Sequence, residues 1–280
     1  MPILSAGHSP ASLALYRSGL TPALITQCAA PDRRPYIHPI LVPDGLGELT
    51  ENEPGHHLWQ HGLYTGLNEV NGVGFWTEGL HNSKERDGTF HPQPLAFPVV
   101  AGSRAGWDVV TDWRAPDGKP MLTETQKWSL EDRDASLALD LEWELRAATG
   151  LRFGRYSYGG LFLRMPWRAE AGADLLSSEG AVGPDAAEGK RARWIALAMA
   201  IPGRASGAAG IAILDHPSNP EHPAPWRVDD NYGIVPSRCI AGEWRLSREE
   251  AAPSRYRVFA YVGGISREAV EAEWQRFAAG

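Results

Sequence analysis

The chain has 280 residues, 43% of them hydrophobic and 22% charged, with a formal net charge of −7. That composition supplies a core and excludes a wholly disordered chain. The one dense basic run, Lys190-Arg191-Ala192-Arg193, is short and lies near Asp185 and Glu188. The extended positive face that tracks nucleic-acid phosphates is therefore missing, and the run reads as a solvated strand entrance.

Apolar or alternating runs, separated by Gly, Pro and Asp clusters, follow one another with little helix between them. The first covers residues 23–28. GWDVVTDWRAPDGKPMLTETQKWSL, residues 106–130, reads as a hairpin turning at Ala115-Pro116-Asp117-Gly118, where Pro sets the turn's φ and Gly supplies a positive one. Leu137, Leu139, Leu141, Trp143 and Leu145 alternate with Ala138, Asp140, Glu142 and Glu144, the period of a half-buried antiparallel strand. A further run spans residues 155–165. Residues 169–188, small and acidic without periodicity, read as an exposed excursion, and runs at 194–201, 209–214 and 254–262 follow. Ser266 caps a terminal helix whose Val270, Trp274 and Phe277 form one apolar stripe. Eleven tryptophans, thirty glycines and twenty-two prolines suit sheets and turns better than helix packing. The expected fold is mostly β: a single-domain antiparallel β-sandwich over residues 1–280 with a C-terminal helix.

Nowhere do about 18 consecutive apolar residues occur. The first twenty residues lack a basic segment followed by an apolar core, which predicts a soluble chain, cytoplasmic by default. Cys28 and Cys239 match no metal spacing and read as buried free thiols.

The familiar nucleotide, nucleophile-elbow and zinc-protease motifs are absent, which leaves histidine and tryptophan. His56-His57-Leu58-Trp59-Gln60-His61-Gly62 puts three imidazoles and an indole into seven residues. As a strand, it lines His57, Trp59 and His61 on one face, with the outer two ~13 Å apart. As a helical turn, it brings His57 and His61 to ~6 Å, close enough to share a metal. The strand's stripe suits a sugar ring, whose C–H face covers indole while its hydroxyls meet imidazoles and amides. The blander account fills the core with Trp59 and spends the histidines on backbone carbonyls.

A second cluster, Asp215-His216-Pro217-Ser218-Asn219-Pro220-Glu221-His222-Pro223, is stiffened by three prolines and holds its polar groups nearly fixed. Its plain alternative is an Asp and an Asn capping successive turns. Asn71, His91 and Tyr232 are further candidates for substrate contact, although Asn71-Gly72 also reads as a turn. Glu78 and Glu124 are the nearest carboxylates in sequence, and a Glu paired with a His would shuttle protons.

RPYIHPILVPDG, HHLWQHGLYTGLNEVNGVGFW, GKRARW and ILDHPSNPEHPAPWRVDDNYG together resemble the bacterial family known as PmoA-like, over roughly residues 25–265. That family takes its name from a membrane methane oxygenase, whose spanning helices this chain lacks. The resemblance implies an association with sugar catabolism and a supersandwich similar to that of the galactose-mutarotase-like aldose epimerases. The chain departs from the family at residues 55–62, where the acidic residue and proline of D-H-P-x-x-H-G or H-P-H-H-R-G are missing.

The leading expectation is a protein that binds and transforms a carbohydrate or sugar acid, epimerase-like, mutarotase-like or lyase-like, without a required cofactor. His57 and His61 are the acid or base candidates, Trp59 the stacking platform, and Asp215, His216, Asn219 and His222 the polar wall. By the epimerase likeness, Glu124 or Glu78 takes a hydroxyl proton while a histidine protonates the ring oxygen. Two alternatives stand beside it. One is a metal enzyme in which His57, His61 and one of His216, His222 or Asp215 hold a divalent ion. The other is a non-catalytic sugar-binding module. The leading reading needs both histidine-rich segments to face one hollow.

Overall fold

In the computed structural model, which describes residues 2–81, 85–205 and 207–280, the period-two alternation sorts side chains between two surfaces of each sheet. Leu137, Leu139, Leu141, Trp143 and Leu145 on strand Ser136–Ala147 all point inward, none more than 6% exposed. The hairpin forms as expected, strands Arg104–Arg114 and Pro120–Asp132 meeting at a turn where Gly118 has φ 82°.

Among the described residues the strands form an eleven-stranded and a nine-stranded sheet, and every strand pair is antiparallel. The larger runs in the order Leu4–Ser9, Ser12–Arg17, Ile25–Cys28, Tyr36–Ile40, Leu63–Val70, Gly160–Leu163, Ile234–Pro236, Trp226–Val228. Strands Val73–Phe75, Leu151–Phe153 and Trp244–Leu246 branch from it. The smaller runs Asp174–Ser177, Trp194–Ala200, Ala208–Asp215, Ala251–Val262, Ser136–Ala147, Pro120–Asp132, Arg104–Arg114, Thr89–Pro92, with Val99–Ala101 added on Arg104–Arg114. One hydrophobic core joins the facing sides of both sheets, with Leu63, Leu161 and Ile234 from the larger and Trp113, Leu139 and Ile213 from the smaller.

The two outer faces are finished differently. On the smaller sheet Trp194, Leu214 and Phe259 are covered by Val270 and Phe277 of helix Arg267–Ala278. Ser266 caps that helix as expected, its side chain accepting from the Ala269 N–H at 3.2 Å. On the larger sheet the residues next to the core-facing Leu63, Leu161 and Ile234 are Tyr64, Phe162 and Val235, which join Trp76 in a separate aromatic cluster.

Three local expectations are corrected. Residues 169–188 contain the edge strand Asp174–Ser177 and the short helix Pro184–Ala187; two leucines in four residues are too few to show a period. Only Gly160–Leu163 of residues 155–165 is strand. Of the two expected buried thiols, Cys239 is buried and Cys28 half-buried, both free.

Candidate functional site

Residues 53–60 form a closed loop. Asn52 and His61 make an isolated antiparallel bridge at its neck, and the Glu53 N–H donates to the Gln60 carbonyl at 2.7 Å. Inside it, two successive turns are closed by His57 N–H to Pro54 O at 2.8 Å and Gln60 N–H to His57 O at 3.0 Å. Neither the expected strand nor a helical turn forms. His57 and Trp59 stay together, ring centroids 5.1 Å apart, while His61 turns inward and is 3% exposed.

A buried ion network holds the loop from below. The fully buried Arg34 donates from Nη2 to the Trp59 carbonyl at 2.5 Å and to Glu78 Oε2 at 3.1 Å, and from Nη1 to the Trp76 carbonyl at 3.0 Å. Its guanidinium lies 4.0 Å from the centroid of the Tyr64 ring, a cation–π contact. Gly66 makes room for it, since a Cβ there would sit 2.9 Å from Nη1. His61 bonds through Nε2 to Glu78 Oε2 at 2.7 Å and through Nδ1 to Asn52 Oδ1 at 2.9 Å, and stacks on Tyr36 with centroids 4.8 Å apart. Burial alone would raise the Glu78 carboxyl, but the Arg34 charge and the His61 bond outweigh it and bring its pKa down to about 2.

A second buried arginine does the same on the other side. Arg164 donates from Nε to Gln60 Oε1 at 2.8 Å, from Nη2 to Asp229 Oδ2 at 2.6 Å and from Nη1 to Asp229 Oδ1 at 3.1 Å. The backbone N–H groups of Asn231 and Gly233 complete the shell of Asp229 Oδ1 at 3.0 and 2.8 Å. Residue 233 must be glycine here, because a Cβ would come within 2.5 Å of Asp229 Oδ2 and 2.7 Å of Arg164 Nη2.

Between these two arginine-held supports lies an open hollow of about 250 Å³, at the small end of ligand pockets and on the scale of one sugar ring. Trp59, Trp76, Tyr158 and Phe162 give it aromatic walls, and His57, Gln60, Thr77, His81, Arg227 and Asp229 give it polar groups. Trp59 and His81 lie 5.0 Å apart by ring centroid, Trp76 and Tyr158 4.6 Å. Arg227 is tied to Glu188 through Nη1 at 2.8 Å. Burial, with the Arg164 and His56 charges, lowers the His57 pKa, which favours the neutral imidazole.

Of the residues expected at a site, His57 and Trp59 line the hollow, and His61 and Glu78 form the expected histidine–carboxylate pair directly behind it. The others lie elsewhere. Glu124 sits between the sheets, fully buried, accepting from Thr65, from Trp143 Nε1 at 2.6 Å and from Trp113 Nε1 at 3.1 Å. Burial raises its pKa in spite of those bonds. Asn71 closes the hairpin after Leu63–Val70 at φ 51°, bonded to the Gly150 carbonyl and the Arg152 N–H. His91 faces Asp32 at 3.2 Å, and Tyr232 stacks on Trp167 with centroids 5.7 Å apart.

The single-hollow expectation is corrected as well, because none of Asp215, His216, Asn219 or His222 lines the aromatic hollow. Asp215 accepts from Asn219 Nδ2 at 2.7 Å, His222 Nδ1 at 2.8 Å and the Ala224 N–H at 3.0 Å. Asn219 pairs with the backbone of Arg255 at 2.6 and 2.7 Å, and His216 packs edge-on against Phe277 of the terminal helix. The expected polar wall is therefore a loop clasp, the turn-capping account. The metal reading loses its proposed set, since His57 and His61 point apart and no group of three His, Cys, Asp or Glu side chains among the described residues is placed to hold an ion.

Sequence reasoning missed Arg34, Arg164, Trp76, Tyr158 and Phe162. One signal was present: Arg164 is the lone charge in the apolar run GGLFLRMPW, and a charge in such a run is buried against a partner. A larger depression of about 610 Å³ lies on the outer face of the smaller sheet. Its floor is a cross-strand row of charges, Lys127, Glu142 and Arg255. It offers an open ionic surface rather than stacked rings.

Comparison with solved structures finds an α-galactosidase from Lactobacillus brevis, with a TM-score of 0.45 at 11% identity over 95% of this chain and 40% of that one. The GH36 α-galactosidase AgaB from Geobacillus stearothermophilus gives 0.42 at 10% identity over 93% of this chain and 41% of that one. A galactose mutarotase related enzyme from Lactobacillus acidophilus gives 0.38 at 7% identity over 94% and 98%. The chain thus spans about two fifths of the α-galactosidases it matches. No curated protein matches it. A family model described as a family of unknown function, DUF6807, matches residues 13–275, and the chain belongs to that family.

Proposed function

We propose that the chain binds a carbohydrate in the hollow between Trp59 and Trp76 and moves a proton on it, with His57 as the acid–base group and Asp229 opposite. One observation carries this reading: aromatic faces and hydroxyl-bonding groups converge on one open space of about 250 Å³, held on both sides by buried arginines. A sugar ring is the common ligand with an apolar C–H face and a rim of hydroxyls, so indole takes the face while Gln60, Thr77 and Asp229 take the rim. His57, with its pKa lowered, is neutral at pH 7 and able to accept a proton. His61 and Glu78 act at one remove, by holding the loop that carries His57 and Trp59. The PmoA-like resemblance, with its association with sugar catabolism, belongs to the same reading.

The test is a tryptophan-fluorescence titration with common hexoses, pentoses and uronic acids, followed by proton NMR of anomeric and epimeric exchange in D₂O. Saturable quenching should weaken at least about tenfold in Trp59→Ala. Exchange should stop in His57→Ala while binding persists. A chain that binds no sugar, or a Trp59→Ala variant that binds like the parent, overturns the proposal.

A further inference from the structure

The polar side of the hollow has a specific bonding pattern. Gln60 is 3% exposed and lines the hollow; its Oε1 is taken by Arg164, while its Nε2 has no hydrogen-bond partner among the described residues. That nitrogen keeps both N–H bonds for whatever enters the hollow, water or a ligand oxygen. Asp229 shows the complement. Its Oδ1 already accepts from Arg164 Nη1 and from two backbone N–H groups, whereas among the described residues Oδ2 accepts only from Arg164 Nη2 and keeps a lone pair. One open donor and one open acceptor are thus anchored to neighbouring nitrogens of one planar guanidinium, Nε and Nη2, which fixes their relative position.

We infer that Arg164 is the positioning residue of a diol-reading fork: the Gln60 amide donates to one hydroxyl of a neutral sugar, and the Asp229 carboxylate accepts from the adjacent one. This rests on the sugar reading and narrows it to a class. Neighbouring hydroxyls can bond a donor and an acceptor side by side, whereas a carboxylate meets repulsion at Asp229. The second charge on the wall, Arg227, is already tied to Glu188, so among the described residues the wall offers an anionic sugar no unmatched arginine or lysine. The aromatic side then holds the ring face, and the fork selects which edge of the ring enters.

The experiment is isothermal calorimetry on the full chain with D-galactose, D-glucose and D-mannose, then with the monodeoxy analogues and the uronic acid of the tightest binder. Deleting either of two adjacent hydroxyls should weaken binding at least about tenfold, because each deletion leaves a fork group unpaired under the bound ring. Deletions elsewhere should cost less than about threefold, and the uronic acid should bind no better than the parent sugar. Gln60→Glu keeps the acceptor for Arg164 and removes the donor; it should bind the parent sugar about as weakly as the unmodified chain binds one of those two deoxy analogues. Penalties at no pair of adjacent positions, preference for the uronic acid, or unchanged binding in Gln60→Glu each overturn the fork. If Trp59→Ala still loses affinity in that case, the sugar reading survives. No binding of any of the three hexoses overturns both. The deoxy series uses the unmodified chain and decides the matter whether or not the variant folds.

Discussion

Two histidine–carboxylate hydrogen bonds among the described residues invite comparison, His61 on Glu78 at 2.7 Å and His222 on Asp215 at 2.8 Å. The two pairs serve different ends. His61 and Glu78 brace a loop whose tip, His57 and Trp59, borders open space, with Arg34 fixing the Trp59 carbonyl. His222 and Asp215 close a loop on itself beside the terminal helix, where Asn219 and the Ala224 N–H also donate to Asp215, whose carboxylate is fully buried. Residue chemistry alone does not separate them. What separates them is whether polar groups are left facing a cavity, because a fully satisfied cluster contributes stability and has nothing left to offer a ligand.

The largest effect expected from breaking this contrast is on stability. Asp215→Ala strands the Asn219 amide, the His222 imidazole and the Ala224 N–H, and should cost about 3 kcal/mol or more in urea unfolding. Sugar affinity of the folded protein should stay within about twofold. Intact stability with lost binding would reverse the assignment of the two clusters.

Next comes acid stability. The Glu78 carboxyl has a pKa of about 2 in the fold against 4.5 when free. Its contribution, of the order of 3 kcal/mol, is present above pH 4.5 and lost as pH falls toward 2. Glu78→Gln should therefore flatten the acid limb of the stability profile. Glu124 has the opposite sign, because its pKa is raised by burial. Its contribution is complete below pH 4.5 and shrinks as pH rises through the raised value, so Glu124→Gln should lessen the loss of stability on the alkaline side. Unfolding free energies measured across pH would show both, and parallel profiles for the two variants would contradict the placement of these carboxylates.

Smaller still is the expected penalty in the hollow. Trp59→Ala should weaken sugar binding by at least about 1.4 kcal/mol, a factor of ten, and lower stability by only about 1 kcal/mol, since the indole is only partly buried. The smallest is Asn71→Ala, which removes two exposed hairpin bonds. It should cost under about 1 kcal/mol of stability with sugar affinity unchanged; a loss of affinity would restore Asn71 to the site.

These contrasts explain what could be read from the chain. The alternation of Leu137 to Leu145, the Pro116-Gly118 turn and the Ser266 cap are local patterns, and all three appear where expected. His57 and Trp59 were legible because they are neighbours in sequence and remain so in space. The His61–Glu78 pair was recoverable as a type, a histidine near a glutamate, but not as a distance. The turns at residues 54–60 were hidden because the loop's shape is set by Arg34, about 25 residues earlier, bonding the Trp59 carbonyl. Trp76 comes from a different stretch of the chain than Tyr158 and Phe162, and only the sheet order brings the two stretches together. The proline-rich segment misled because rigidity is common to binding loops and to clasps.

The central claim is that the aromatic hollow, and not the proline-rich clasp or the charged depression on the opposite sheet, is where a sugar sits. A crystal structure with the tightest-binding hexose tests it most directly. The account predicts a ring seated between Trp59 and Trp76 with adjacent hydroxyls on Gln60 and Asp229. A sugar held beside Lys127 and Arg255, or against Asp215 and His222, would contradict it.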